Sequence, residues 1–308
     1  MRHNCLSRLE LTTLVVTLVA LSCLSRVSAE VPQRSLETAR VEAKTKGLPI
    51  LLEFDSVTCP DSARFTQLIK NEPRLQDAFR QVVVVRIDVA SRKGRSFQQS
   101  FNANGTPSFV LLDEHGEPCD QWLGLLPEEF PVVLGDALRD RTSIREKELR
   151  FRTHPTASLA ATLGRIRVGQ MRLTEAIDFM RNARASGTEA SPYERVLWAY
   201  ALAFLPAEQS VPFDDLMGAT IDVIAITPPK NAERLWMPLA LLAHAKLSEE
   251  VVRARALSQN ALDTMPASID PRILAWETAL NKALADPAAS KRRIVPNNPA
   301  AETRTAND

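Results

Sequence analysis

The chain has 308 residues, 45% of them hydrophobic and 24% charged, with 38 Lys and Arg against 37 Asp and Glu for a net charge of +1. That length exceeds one domain of roughly 100–200 residues, and the apolar share is enough for packed cores, which excludes disorder over most of the chain. A charge so near zero leaves no basic field for a nucleic-acid partner.

Arg2 and Arg8 precede an uncharged stretch, "LTTLVVTLVALSCLS" at 11–25, and Val27-Ser28-Ala29 follows with small residues at cleavage spacing. This pattern predicts a secretory signal over 1–29 and an exported protein, periplasmic or extracellular. Fifteen uncharged residues fall short of the roughly 20 that span a bilayer, so no integral membrane span is expected once the signal is removed. Cys5 and Cys23 would leave with it, and Cys59 and Cys119 remain.

A helix is expected over 36–46, "LETARVEAKTK", stopped by Gly47-Leu48-Pro49. "ILLEF" at 50–54 is a continuous apolar run of the kind a buried strand shows. After Cys59, Phe65, Leu68 and Ile69 lie at helical spacing, and a short amphipathic segment covers 73–79. "VVVVRID" at 82–88 reads as a second buried strand and 92–102 as a helix. "PSFVLLD" at 107–113 and "CDQWLG" at 119–124 read as strands joined by a turn at His115-Gly116, and "PEEFPVVLGDALRD" closes the segment as a helix. The order predicts an α/β domain over 30–142: a central mixed sheet ending in an antiparallel hairpin, with helices on both faces.

Beyond residue 142 the strand signal stops. Residues 143–154 read as a charged connector, and helices are expected at 156–168, 172–186, 192–205, 213–226, 231–247, 249–264 and 270–285. Arg195, Arg234 and Arg272 begin similar apolar stretches 39 and 38 residues apart, which suggests an all-α domain of helical-hairpin repeats over 155–285. Trp198, Trp236 and Trp276 are expected as core anchors between hairpins. These hairpins loosely resemble tetratricopeptide-type repeats, although that family's tryptophan-to-tyrosine signature is missing. The segment 286–308 lacks periodicity and reads as a disordered tail. His115, His154 and His244 are scattered without ligand spacing, so neither metal nor other cofactor is expected. Glu128-Glu129 suit the first turn of a helix.

One cysteine at the junction of an apolar strand and a helix, in "LLEFDSVTCPDSARFTQLI", is where chemistry would concentrate. Taken with "VVVVRID" and "NGTPSFVLLDEHGE" at 104–117, it resembles the active-site corner of the thioredoxin family over about residues 33–140. The resemblance implies that Pro107 is a cis-proline facing Cys59, that the backbone of Thr106 meets a bound peptide, and that Glu53 is a buried acid six residues before the thiol. It also places Pro60 and Ser62 beside the peptide site. The departure is that Cys-x-x-Cys has become Cys59-Pro60-Asp61-Ser62, with Thr58 where the family often has tryptophan.

A thiolate at a helix N-terminus is stabilised by the unpaired N–H groups there. Cys59 could therefore form a mixed disulfide, but Ser62 has no sulfur with which to resolve it. What remains is monothiol exchange or isomerisation on protein partners. Against this, Glu53, Asp55 and Asp61 surround the thiol in sequence, and like charge disfavours thiolate formation. The alternative is a degenerate site in a non-catalytic scaffold that binds proteins through its helical surface. Cys119, at the start of the last strand, is expected too far from Cys59 for a disulfide.

Overall fold

The computed structural model describes residues 35–285 apart from 188, 206–208, 210, 230 and 269. The signal expected over 1–29 and the tail expected over 286–308 lie outside the described residues.

Helix α1 (Leu36–Lys46) starts where the Ser35 hydroxyl accepts from Thr38 N–H at 3.1 Å. The apolar runs form strands β1 (Ile50–Asp55), β2 (Val83–Asp88), β3 (Ser108–Leu112) and β4 (Pro118–Leu123), in the spatial order β2-β1-β3-β4. β1 pairs with β2 in parallel and with β3 antiparallel, and β3 with β4 antiparallel. Between them lie α2 (Pro60–Asn71), α3 (Pro73–Phe79) and α4 (Arg92–Ser100), and α5 (Phe130–Arg139) follows β4 after a 3-10 turn at Pro127–Glu129.

Alternation along β1 builds two cores. Ile50, Leu52 and Phe54 share one with Val83, Val85, Val110 and Leu112, closed by Ala39 and Ala43 of α1 and by Phe97 and Phe101. Across the sheet, Phe109 and Trp122 form an aromatic cluster with Phe65 of α2, Phe79 of α3 and Phe130 of α5, with ring centroids 4.8 to 6.1 Å apart in the Phe65, Phe79, Phe109 and Phe130 contacts. Burial on both faces explains why β1, β2 and β3 read as largely apolar runs.

The segment 143–154, expected as a connector, is instead helix α6 (Ile144–Thr153), opened by a reciprocal cap between Ser143 and Glu146. Its charged composition hid a buried face. Lys147 is fully buried because its ammonium donates to three carbonyls, those of Cys119 (2.8 Å), Asp140 (2.7 Å) and Thr142 (2.6 Å). Helices α7 (Ala157–Gly169), α8 (Leu173–Ala185), α9 (Pro192–Ala203), α10 (Phe213–Ile226), α11 (Glu233–His244), α12 (Ser248–Asp263) and α13 (Pro271–Ala285) follow. α7 packs on α8, α9 on α10 and α11 on α12. Trp236 is buried against Tyr200 and Phe204, and Trp198 is buried under the Arg184 guanidinium, whereas Trp276 is only half-buried. The three arginines of the shared sequence pattern do different things: Arg195 binds Glu189, Arg234 binds carbonyls of α10 and its C-terminal end, and Arg272 binds Asp270. Among the described residues no helix is long and apolar enough to cross a membrane.

The α/β part and the helical region share a buried polar seam. β4 is an edge strand, and α7 packs along it. Asp120 of β4 and Arg165 of α7 form a buried ion pair at 2.5 Å, Gln121 Nε2 donates to Gly169 O at 3.1 Å, and Tyr193 of α9 donates to Leu123 O at 2.6 Å. A Cβ on Gly169 would stand 2.9 Å from Gln121 Cγ and 3.2 Å from Trp122 N, so this close approach requires glycine.

Candidate functional site

The turn from Ser56 to Thr58 joins β1 to α2 and is organised by Ser56. Its N–H donates to the Asp55 carboxylate at 2.6 Å, its hydroxyl lies 3.0 Å from that of Thr58, and its carbonyl accepts from Cys59 N–H at 3.0 Å. Cys59 is the N-cap of α2, and its carbonyl accepts the first helical bond, from Ala63, at 3.1 Å. Pro60 takes the first helical position, where its fixed φ suits the turn and its missing N–H costs nothing. The N–H groups of Asp61 and Ser62 then have no partner inside the helix.

The Cys59 thiol donates to the carbonyl of Thr106, with 3.2 Å between sulfur and oxygen. The Thr106-Pro107 peptide is cis. Gly124, which was not singled out in the sequence, makes room for this proline: a Cβ there would lie 2.5 Å from Pro107 Cγ, and its N–H donates to Pro107 O at 2.8 Å. The only sequence signal for it is a glycine directly after an apolar strand end. Thr106 is half-buried, with a hydroxyl that is buried and unpaired. Ser62 is buried, and its hydroxyl turns back to Ser56 N–H at 3.5 Å. Cys59 keeps 9% of its surface exposed between the exposed Val57, Thr58 and Pro60, whereas Cys119 has none. Both cysteines are free. Cys119 packs in β4 with its sulfur 3.4 Å from Leu111 O, and burial pushes its thiol up to about 12.

Glu53 is 1% exposed and receives two bonds from Arg86, Nε to Oε2 at 3.1 Å and Nη2 to Oε1 at 3.3 Å. Burial raises its carboxyl to about 7, with Arg86 opposing the rise. Arg86 sits opposite Glu53 in the parallel β1–β2 register and also lies 3.8 Å from Asp55. The acids that look uncompensated in the sequence are therefore answered. Arg86 serves Glu53 and Asp55, and Arg272 of α13 holds Asp61 at 2.8 Å. Arg64, the nearest base in sequence, is directed elsewhere, to Glu128 at 2.8 Å and to Asn231 Oδ1 at 3.0 Å. Among the described residues no group of three or more His, Cys, Asp or Glu could hold a metal ion.

The thiol thus stands at a strand-to-helix corner beside a cis-prolyl peptide, on a mixed sheet covered by helices on both faces. Residues 36–137 match the Thioredoxin-like domain family. A thioredoxin from Thermus thermophilus, known from its solution structure, is similar at 21% identity, covering 34% of this chain and 85% of that one with a TM-score of 0.31. No curated protein matches the chain. The thioredoxin-like α/β domain thus occupies the first part of the described chain, and the helix-rich region follows it.

Proposed function

We propose that the protein is an exported monothiol thiol-disulfide exchange or isomerisation protein acting on protein partners. The contact between Cys59 sulfur and the carbonyl before Pro107 carries this reading, because it sets the thiol beside backbone that an extended peptide can meet. The Cys59 thiolate attacks one sulfur of a partner disulfide. The Cys59–S–S–partner bond forms, the partner's S–S bond breaks, and its electron pair leaves with the other sulfur as thiolate. With Ser62 in place of a second thiol, the adduct is undone by a thiolate of the partner itself, which gives isomerisation with no net electron transfer, or by a small-molecule thiol. Thr106 and Pro107 line the peptide site, Pro60 borders it, the buried Ser62 supports the corner from beneath through Ser56, and Glu53 serves as the buried acid that assists proton movement. The pattern over 1–29 supports export to a periplasm or the outside of the cell.

The test is recovery of activity from a scrambled disulfide protein in the presence of a small-molecule thiol. Acceleration by the wild type, lost in Cys59→Ser and kept in Cys119→Ser, is expected. No acceleration by the wild type would overturn the reading.

The small exposure of Cys59 and the packed helical surface favour a second reading, a non-catalytic protein-binding scaffold. Under it, partners recovered with the native protein stay bound to Cys59→Ser; under the first reading, covalent adducts disappear with the sulfur.

A further inference from the structure

The helical region reaches the thiol corner as well as the sheet edge. Asp61, two positions after Cys59 in the first turn of α2, receives Arg272 Nη1 at 2.8 Å across 211 residues of sequence. The Arg272 side chain is 11% exposed, and Asp270 holds its guanidinium in place through Nη2 at 2.7 Å and Nε at 3.2 Å. One turn further on, Arg64 Nη2 donates at 3.0 Å to the side chain of Asn231, a fully buried residue just ahead of α11. Glu233, at the start of α11, is also buried, and its carboxyl is raised by that burial, with Arg64 lowering it and Asp61 and Glu128 raising it further. Two arginines, Arg64 and Arg272, thus face four carboxyl groups, Asp61, Glu128, Asp270 and Glu233, contributed by both parts of the molecule.

We propose that Arg272 is a positioning residue of the Cys59 site: by pairing with Asp61 it keeps that carboxylate's charge from acting on the sulfur, so the helical region sets the reactivity of the thiol. This inference rests on the reading of Cys59 as a nucleophile. An acid two residues from a thiol disfavours the thiolate, and a guanidinium fixed on that acid offsets the effect. Asp270 preorganises Arg272, so little side-chain freedom is lost in making the contact.

The experiment is the rate of Cys59 alkylation by iodoacetamide against pH, in protein lacking residues 1–29 and carrying Cys119→Ser, so that Cys59 is its one thiol, with an unstructured cysteine peptide as reference. Arg272→Gln is expected to slow alkylation at pH 7 by about threefold, because the Asp61 side chain is 63% exposed and water screens much of its freed charge, and to shift the rate curve to higher pH. Arg272→Lys should restore most of the rate. Asp61→Asn combined with Arg272→Gln should return it close to wild type, and 1 M salt should shrink the difference between Arg272→Gln and wild type. Thermal melting checks that each variant is folded, and Asp61→Asn alone probes the pair from its other side, with a rate at or above wild type expected. A fast wild type with an unchanged Arg272→Gln, or a double variant as slow as Arg272→Gln, overturns the inference alone. A wild-type rate no faster than the peptide overturns the reading of Cys59 beneath it.

Discussion

A carboxyl group with 1% of its surface exposed is driven toward its neutral form, and the Arg86 guanidinium beside Glu53 opposes that drive without cancelling it. Because the native carboxyl titrates near 7 and the unfolded one near 4.5, the native state holds the proton more tightly. The contribution of Glu53 to stability is therefore greatest at low pH and falls as pH rises from about 4.5 to about 7. Urea midpoints measured at pH 5 and pH 8 should drop more in the wild type than in Glu53→Gln; equal drops would contradict the assignment. Cys59 is legible in the sequence as a thiol at a strand-to-helix joint, whereas Glu53 and Pro107 stand out only through the family resemblance. Arg86 was not legible, because the parallel register that sets it opposite Glu53 depends on a crossover whose pairing no local pattern encodes. Arg272 was out of reach for the same reason, at 211 residues from its partner.

Among the elements, β4 shows what an edge strand requires when it is buried. Its row Cys119, Asp120, Gln121, Trp122 is almost wholly inaccessible, although two of the four residues are polar. Asp120 finds Arg165 and Gln121 finds the end of α7, so the sheet edge is closed by side-chain chemistry and a covering helix. Asp120→Leu alone should lower stability by about 3–5 kcal/mol, because it leaves Arg165 buried without its counter-charge. The double variant Asp120→Leu with Arg165→Met should lose markedly less in urea denaturation; an equal loss would mean that the pair's charge is not what matters there. The strands followed from apolar runs and turn signals, and the apolar helices from periodicity. Helix α6 escaped it because its inward face is carried by Lys147, whose ammonium is satisfied by three carbonyls, and a charge in that position reads as solvent exposure.

Among the described residues, the thioredoxin-like domain and the helical region meet along β4, at Asn104 beside the end of α7, and around the first turns of α2. A chain ending at residue 154 should leave β4 uncovered on its outer side and self-associate, which light scattering would detect; a monodisperse monomer would show that α7 is not needed to shield the edge. The two-part organisation was readable in the sequence from the point where strand patterns cease, but the seam between the parts was not, because it is made of polar residues that look like ordinary surface. Gly169 lies in that seam, with room for no side chain against Gln121 and Trp122. The two parts are consequently not interchangeable building blocks. A chimera that grafts a foreign helical segment onto this sheet needs a residue without Cβ at that contact and a cation placed for Asp120, so natural variation on either side of the junction must be matched on the other.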